Sequence, residues 1–282
     1  MKLLRYGPPG GEKPGLLDDA GCIRDLSGIV ADLSGEHLSR EGLSRISSLQ
    51  VSQLDIVPGA PRIGPPVGRV GHFIAVGLNY IDHAHETNSP IPGEPILFNK
   101  AVSSISGPDD GFMLPKGSAK TDWEVELAIV IGEGGYEIPE DQAFNHVAGY
   151  CVCHDVSERA HQVERGGQWM KGKSAPGFGP LGPWLVTKEE IADVQNLDLF
   201  LDVNGVRRQT GNTRTMIFGV KMLVSYISCF MALEAGDVIT TGTPPGVGLG
   251  MKPPMFLKAG DVVTLGVSGL GKQTQRVAAR AS

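Results

Sequence analysis

Two short apolar runs, at residues 125–131 and 147–153, constrain the fold most, because each is a candidate for a β-strand. A third segment, residues 197–203, alternates apolar and polar side chains and is followed by Asn204-Gly205, a pair typical of a tight hairpin turn. The 39 glycines and 20 prolines favour many turns and short strands over a helical bundle. We therefore expect one large domain rich in strands, with at most a small appendage.

The first 66 residues differ in pattern from the rest of the chain. Residues 1–57 contain short apolar pieces separated by turns, and residues 58–66 contain four prolines and two glycines, which favours a linker or an extended crossing segment. We predict a small N-terminal domain and linker at residues 1–66 and a catalytic domain at residues 67–282. Residues 233–242 and 257–266 resemble each other, and each predicts a Gly-Asp turn that leads into a strand.

Charge and hydropathy narrow the range of partners. The net charge is −6 without a prominent run of Lys or Arg, which argues against nucleic acid and against a basic membrane-binding surface. The most apolar stretch, residues 215–233, contains Lys221 and predicts a buried helix rather than a membrane span.

The start lacks the apolar core of a signal peptide, and four cysteines do not suffice for a disulfide framework, so we expect a cytoplasmic protein.

Glu124 and Glu126 form the strongest local feature. Side chains alternate along a strand, so both carboxylates point to one face, where they repel each other unless a cation lies between them. Oxygen ligands of this kind suit Mg²⁺ or Mn²⁺. On its own, however, a Glu-x-Glu pair is more often a solvated strand face than a metal site.

Asp155 strengthens the metal hypothesis, because it follows the second apolar run and can direct a third carboxylate into a cleft. Three protein ligands would leave about three octahedral positions for water and substrate. The neighbouring Cys151-x-Cys153-His154 suggests zinc, but both thiols lie on one strand face and no second Cys/His pair has a suitable spacing. We interpret both cysteines as buried core residues.

His83 and Glu86 are three residues apart, so one helical turn would place them on the same side. A carboxylate beside an imidazole raises its basicity, which suits a general base that activates water. Residues 87–95 are polar and rich in turn-forming residues, and they predict a mobile lid. Without further context, a surface helical turn with an incidental ion pair is the favoured interpretation of the same spacing.

Residues 167–174 match the phosphate-loop pattern G-x-x-x-x-G-K-S. Such a loop binds phosphate only between a strand and the N-terminus of a helix. Three prolines at residues 176–183 argue against a following helix, and residues 157–166 are polar rather than strand-like. We therefore reject a nucleoside triphosphate site.

Taken together and in this order, the motifs resemble those of the fumarylacetoacetate hydrolase family. They are Gly77-x-Asn79-Tyr80-x-x-His83-x-x-Glu86, Glu124-x-Glu126, Asp155-Val156-Ser157-x-Arg159, Gly172-Lys173-Ser174, Pro180-Leu181-Gly182-Pro183 and Thr241-Gly242-Thr243-Pro244-Pro245-Gly246-Val247-Gly248. The resemblance implies an α+β, mainly β fold with a roll-like β-sandwich catalytic domain, assembled as a homodimer or a larger homo-oligomer. It also implies that Mg²⁺ or Mn²⁺ is bound.

The resemblance implies a role for each matching residue. Glu124, Glu126 and Asp155 match the metal ligands. His83 and Glu86 match the water-activating pair, and Lys173 matches a lysine beside the metal. The positions that match substrate contacts are Lys100, Gln162 and Thr243.

The expected reaction is hydrolysis of the C3–C4 bond of a small 2,4-dioxo acid to pyruvate and a carboxylic acid. Residues 215–220 are most similar to the branch that acts on dioxo acids from sugar-acid breakdown, such as 2,4-diketo-3-deoxy-L-rhamnonate. One alternative is decarboxylation or keto–enol isomerisation of a 2-oxo acid, which needs no attack by water. Another is a metal-binding protein without turnover, because Ala175-Pro176-Gly177-Phe178 stands where many members have Phe-Asp-Thr-Phe.

Overall fold

The structure, a computed structural model, describes residues 1–86 and 88–280, so Thr87 in the predicted lid lies outside the described residues. Strands dominate this part of the chain and the helices are short. The strands are β1 (Lys2–Tyr6), β2 (Lys13–Leu17), β3 (Ile23–Asp25), β4 (Ile63–Gly64), β5 (Phe73–Gly77), β6 (Ile96–Asn99), β7 (Ile105–Ser106), β8 (Phe112–Met113), β9 (Thr121–Asp122), β10 (Val125–Ile131), β11 (Val147–His154), β12 (Ser157–Glu158), β13 (Gly179–Thr187), β14 (Asp198–Val203), β15 (Val206–Asn212), β16 (Val238–Thr240), β17 (Val262–Val267) and β18 (Gly271–Ala278). The α-helices are α1 (Arg40–Ser47), α2 (Ile81–Glu86), α3 (Arg159–Val163), α4 (Met170–Lys173) and α5 (Val220–Ser228).

The largest sheet brings together strands from distant parts of the chain. Its main path runs β3-β2-β1-β13-β11-β10-β16-β5-β6, with β4 beside β1 and β7 beside β13. The predicted strands β10 and β11 are antiparallel neighbours near its centre, and every residue of both is buried because the sheet is covered on both faces. Their register pairs Val125 with His154, which places the residues just outside this pair, Glu124 and Asp155, next to each other.

A second sheet, in the order β15-β14-β17-β18-β8, packs on one face of the large sheet. Alternating residues of β10, including Val125 and Leu127, share a core with Leu201 and Leu265 of the second sheet. The predicted hairpin between β14 and β15 is confirmed. Asn204 and Gly205 take φ values of 52° and 74°, the left-handed region that this tight turn requires.

The N-terminal residues cover the opposite face of the large sheet. Leu3, Leu16 and Leu26 pack in one core with Ala128 and Val130 of β10. Strand β1 also pairs with β13, so the leading unit extends the catalytic sheet. The domain boundary after residue 66 stays a prediction.

Two further local predictions agree with the structure. Both repeated segments form a Gly-Asp turn with a positive φ, at Gly236 and Gly260, followed by β16 and β17. The apolar stretch at 215–233 contains the half-buried helix α5, which is shorter than the stretch itself. Among the described residues, the helices lack the combination of length and apolar character that crossing a membrane requires.

Candidate active site

Three carboxylates meet at the end of the β10–β11 pair. Glu124 immediately precedes β10, Glu126 lies within it, and Asp155 follows β11. One oxygen from each lies within 4.8 Å of the others, and the three residues are 5%, 2% and 1% exposed. Like charges buried this closely require a cation between or beside them. The arrangement fits a divalent metal bound by oxygen ligands.

Two buried lysines contact this cluster. Lys173 Nζ donates to Glu124 Oε2 at 2.7 Å and to Asp155 Oδ2 at 2.6 Å. Lys100 Nζ donates to Asp155 Oδ1 at 2.6 Å and to the Lys173 carbonyl oxygen at 2.5 Å. Both Asp155 oxygens therefore accept from ammonium groups, which holds the carboxylate in one orientation.

The two glutamates experience opposite electrostatics. Burial disfavours the charged form of Glu124, but Lys173 and Arg159 outweigh it and lower the pKa to about 2. For Glu126, burial and then the repulsion from Asp155 and Glu124 raise the pKa well above its usual value. Its Oε2 accepts from the Thr240 hydroxyl and, at 2.8 Å, from the Gly242 N–H. Without metal, Glu126 is thus the carboxylate whose charge is least compensated.

Arg159 and Asp122 belong to the site, although sequence reasoning gave neither a role. Arg159 Nη2 lies 2.7 Å from Glu124 Oε1, its Nε donates to Asp122 Oδ2 at 2.8 Å, and its Nη1 donates to Gln162 Oε1 at 3.0 Å. The buried Asp122 carboxylate also accepts the backbone N–H groups of Gly248 and Leu249. The pair therefore fixes the loop after β16 against the carboxylate cluster. The signal was present in the family motif, which carries an arginine four residues after Asp155.

The helical turn predicted for His83 and Glu86 is confirmed as α2. His83 Nδ1 lies 3.0 Å from Glu86 Oε2, and the imidazole is buried. Glu86 Oε1 accepts the Gly246 N–H at 2.8 Å, so both carboxylate oxygens have partners. This is a packed dyad rather than an ion pair on a surface helix.

A cavity of about 310 Å³ connects most of the predicted site residues. Its lining comprises Val76, Gly77, Leu78, His83, Ser89, Phe98, Glu124, Glu126, Asp155, Arg159, Gln162, Val163, Trp169, Lys173, Gly242, Thr243, Val247 and Leu249. Glu86 contacts the lining residue His83, and Lys100 contacts the lining residue Asp155. The roles of Lys100, Gln162 and Thr243 in substrate binding stay predictions.

The structure supports the rejection of a zinc site and of a phosphate loop. Cys151 and Cys153 are buried free thiols within β11, and burial raises the pKa of Cys151 to about 12, which disfavours the thiolate that zinc needs. The Gly-Lys-Ser of the phosphate-loop match lies at the C-terminal end of α4, and strand β13 follows it. A phosphate loop needs the opposite order, strand then helix.

The chain belongs to the fumarylacetoacetate hydrolase family. The family model for the fumarylacetoacetate (FAA) hydrolase C-terminal region matches residues 72–278. A protein of Burkholderia multivorans, provisionally named a hydrolase, is 60% identical over 276 residues, which cover 98% of each chain.

Solved structures confirm the mainly β fold of this family. The fumarylacetoacetate hydrolase of the psychrophile Exiguobacterium antarcticum has a TM-score of 0.87 at 36% identity, covering 99% of this chain and 100% of that one. A 5-carboxymethyl-2-hydroxymuconate delta-isomerase from Mycobacterium smegmatis has a TM-score of 0.78 at 30% identity, and the maleylpyruvate hydrolase of Sphingobium sp. SYK-6, in complex with manganese(II) and pyruvate, has 0.82 at 26%. Both alignments cover 100% of each chain. The fold is therefore shared by hydrolases and isomerases.

Proposed function

We propose that the protein is a Mg²⁺- or Mn²⁺-dependent hydrolase that cleaves the C3–C4 bond of an acylpyruvate, a 2,4-dioxo acid. Water adds to C4, the C3–C4 electron pair passes to C3 as the pyruvate enolate, and a proton then completes pyruvate beside the released carboxylic acid. The observation that carries the proposal is that His83, held by Glu86, lines the same cavity as the three carboxylates. Isomerisation or decarboxylation has no need of a base for water.

The donor set fits a hard divalent cation, because Glu124, Glu126 and Asp155 offer only carboxylate oxygens. When bound, such an ion would supply the positive charge that favours an enolate. Support for Mn²⁺ comes from the maleylpyruvate hydrolase, whose structure contains manganese(II) and pyruvate.

The protein's own residues would hold and move the proton. His83 lines the cavity and its Nδ1 lies against Glu86, so the neutral imidazole would take up a proton from water through its other ring nitrogen. Glu86 is fixed by the Gly246 N–H, so the ring keeps one orientation. The Lys173 ammonium, which lines the cavity, adds positive charge where the enolate oxygen develops.

An isomerase or decarboxylase is the second candidate, favoured by the structural similarity to the delta-isomerase. A metal-binding protein without turnover is the third. A sugar-derived substrate such as 2,4-diketo-3-deoxy-L-rhamnonate, a homodimer, a cytoplasmic location, and the lack of nucleic-acid or membrane partners all remain predictions.

His83→Ala tests the hydrolytic proposal against isomerisation. The variant should lose acetylpyruvate hydrolysis by about 10² to 10⁴-fold, the usual contribution of a general base, while metal-dependent exchange of the C3 protons into D₂O persists. His85→Ala, which removes the exposed neighbouring imidazole on the same helix, is the matched control and should keep both activities. Hydrolysis by His83→Ala at the wild-type rate would contradict the proposal, as would a wild-type enzyme that exchanges protons but forms no pyruvate.

A further inference from the structure

The lining of the catalytic cavity contains charged, polar and apolar side chains, and its charged residue Lys173 lies next to the apolar residue Phe98. The Lys173 Nζ atom, which contacts the carboxylate cluster, lies 5.3 Å from the centroid of the Phe98 ring. The Trp169 ring lies edge-on to Phe98, with the centroids 5.4 Å apart. A substrate whose 2-oxo acid end lies at the carboxylates therefore has an aromatic wall beside it in the direction of Trp169.

The position of Trp169 depends on the glycine at the end of β5. A Cβ atom built on Gly77 would lie 2.2 Å from Cζ3 of the indole, far inside van der Waals contact. The indole thus lies directly against the strand backbone, half-buried, and forms a fixed surface of the cavity. Leu78, Val163 and Leu249 extend the apolar lining.

The cations of the lining already have carboxylate partners. Arg159 forms salt bridges with Asp122 and Glu124. Lys173 forms salt bridges with Glu124 and Asp155. Within residues 1–86 and 88–280, the lining contains no further Lys or Arg. A second carboxylate that lies against this apolar lining would lose water without gaining a cation, which is unfavourable. A polyhydroxy chain would likewise lose hydrogen bonds to water wherever it lies against Phe98 and Trp169.

We propose that the enzyme selects acylpyruvates whose acyl group is apolar, aromatic above all, over those that carry a distal carboxylate or several hydroxyl groups. This inference rests on the proposed acylpyruvate hydrolysis and specifies its substrate class. An aryl group would stack on or pack edge-on against Phe98 and Trp169, as aromatic pairs do. The sugar-derived substrate predicted from residues 215–220 is thereby disfavoured.

The direct test compares kcat/KM for acylpyruvates that share the 2,4-dioxo acid end. With Mg²⁺, benzoylpyruvate should exceed fumarylpyruvate and 2,4-diketo-3-deoxy-L-rhamnonate by at least about tenfold, the scale on which an apolar pocket discriminates. Trp169→Ala should lower the ratio of kcat/KM for benzoylpyruvate to kcat/KM for acetylpyruvate by about 10 to 100-fold. Trp169→Phe should restore most of the loss, and Trp184→Phe, which alters a tryptophan outside the cavity, should leave both values unchanged.

A gain-of-function variant tests the argument about charge. Val163 is half-exposed at the end of α3 and lines the cavity, so Val163→Arg adds a cation without disturbing the core. It should raise the ratio of kcat/KM for fumarylpyruvate to kcat/KM for acetylpyruvate by about tenfold. No gain for fumarylpyruvate, or an equal gain for acetylpyruvate, would overturn the argument.

The outcomes separate this inference from the function on which it rests. Preference of the wild-type enzyme for fumarylpyruvate or for the sugar-derived acid would overturn the inference and leave acylpyruvate hydrolysis intact. Failure to hydrolyse any acylpyruvate, including acetylpyruvate, with either Mg²⁺ or Mn²⁺ would overturn both.

Discussion

Glu126→Gln should remove metal-linked stabilisation and, at neutral to alkaline pH, stabilise the metal-free protein. Glu126 lies within 4.8 Å of two other carboxylate oxygens. At an effective dielectric constant of about 20, each such repulsion amounts to about 3 kcal/mol before lysine contacts offset it. The isosteric amide keeps an acceptor for the Gly242 N–H but carries no charge.

The pKa of Glu126 gives this prediction a pH signature. Burial and the neighbouring carboxylates raise the pKa well above 4.5 in the folded, metal-free protein. A group whose pKa is higher in the folded than in the unfolded protein stabilises the fold fully at a pH below the pKa of the unfolded protein. This stabilisation is lost as the pH rises through the pKa of the folded protein. The unfolding free energy of the metal-free wild-type protein should therefore fall from about pH 4.5 upward, whereas that of Glu126→Gln should fall less.

Thermal unfolding with and without metal measures both effects. At a metal concentration of 100 times Kd, binding should stabilise the wild-type protein by about 2.7 kcal/mol, which for a chain of this size raises Tm by about 5 °C. Glu126→Gln should show no such rise, and Glu140→Gln, which makes the same change at an exposed position, should respond like the wild type. A Glu126→Gln protein that retains the full metal-induced rise in Tm would contradict the role of Glu126 in metal binding. A Glu126→Gln protein that is less stable than the wild type at pH 8 without metal would contradict the repulsion between the carboxylates.

Three further predictions concern other parts of the molecule. Gly77→Ala should displace Trp169, lower stability by about 1–3 kcal/mol as overpacking does, and shift tryptophan fluorescence to the red; an unchanged spectrum would contradict the close contact. Calorimetry should detect no binding of ATP or GTP at millimolar concentration, since the phosphate-loop match ends a helix instead of starting one, and tight binding would reverse that conclusion. Burial opposes ionisation of Asp110, but Arg62 outweighs this effect and lowers the Asp110 pKa. The stabilisation of the folded protein that follows from this lowered pKa is present above about pH 4 and is lost as the pH falls. Arg62→Met should therefore lower the unfolding free energy at pH 7 by about 1 kcal/mol and lessen its loss in acid, as chemical denaturation at pH 7 and pH 3 would show.

Features encoded in neighbouring residues could be predicted from the sequence. The two central strands, the Asn204-Gly205 hairpin and the helical turn of His83 depend on periodicity or on turn residues, which act over a few positions. Alternation along one strand also predicts that Glu124 and Glu126 share a face.

Features that depend on long-range register could not be predicted in the same way. The insertion of β1 beside β13 and of β16 between β10 and β5 joins segments that are more than a hundred residues apart, and no local pattern specifies it. For the same reason, the sequence did not predict that Asp122 accepts the N–H groups of Gly248 and Leu249, which lie far from it along the chain. Trp169 gave no signal either, because its partner is the bare backbone of Gly77.

The central claim is best tested by measuring pyruvate release from acetylpyruvate by metal-stripped enzyme during titration with Mg²⁺ or Mn²⁺. The three-carboxylate site predicts no turnover in chelator, activity that saturates at one metal ion per chain, and one pyruvate and one acetate per substrate consumed. Glu124→Ala should stay inactive throughout the titration, because it removes a proposed metal ligand that also contacts Lys173 and Arg159. Full turnover in the presence of chelator, or consumption of substrate without release of pyruvate, would contradict the claim.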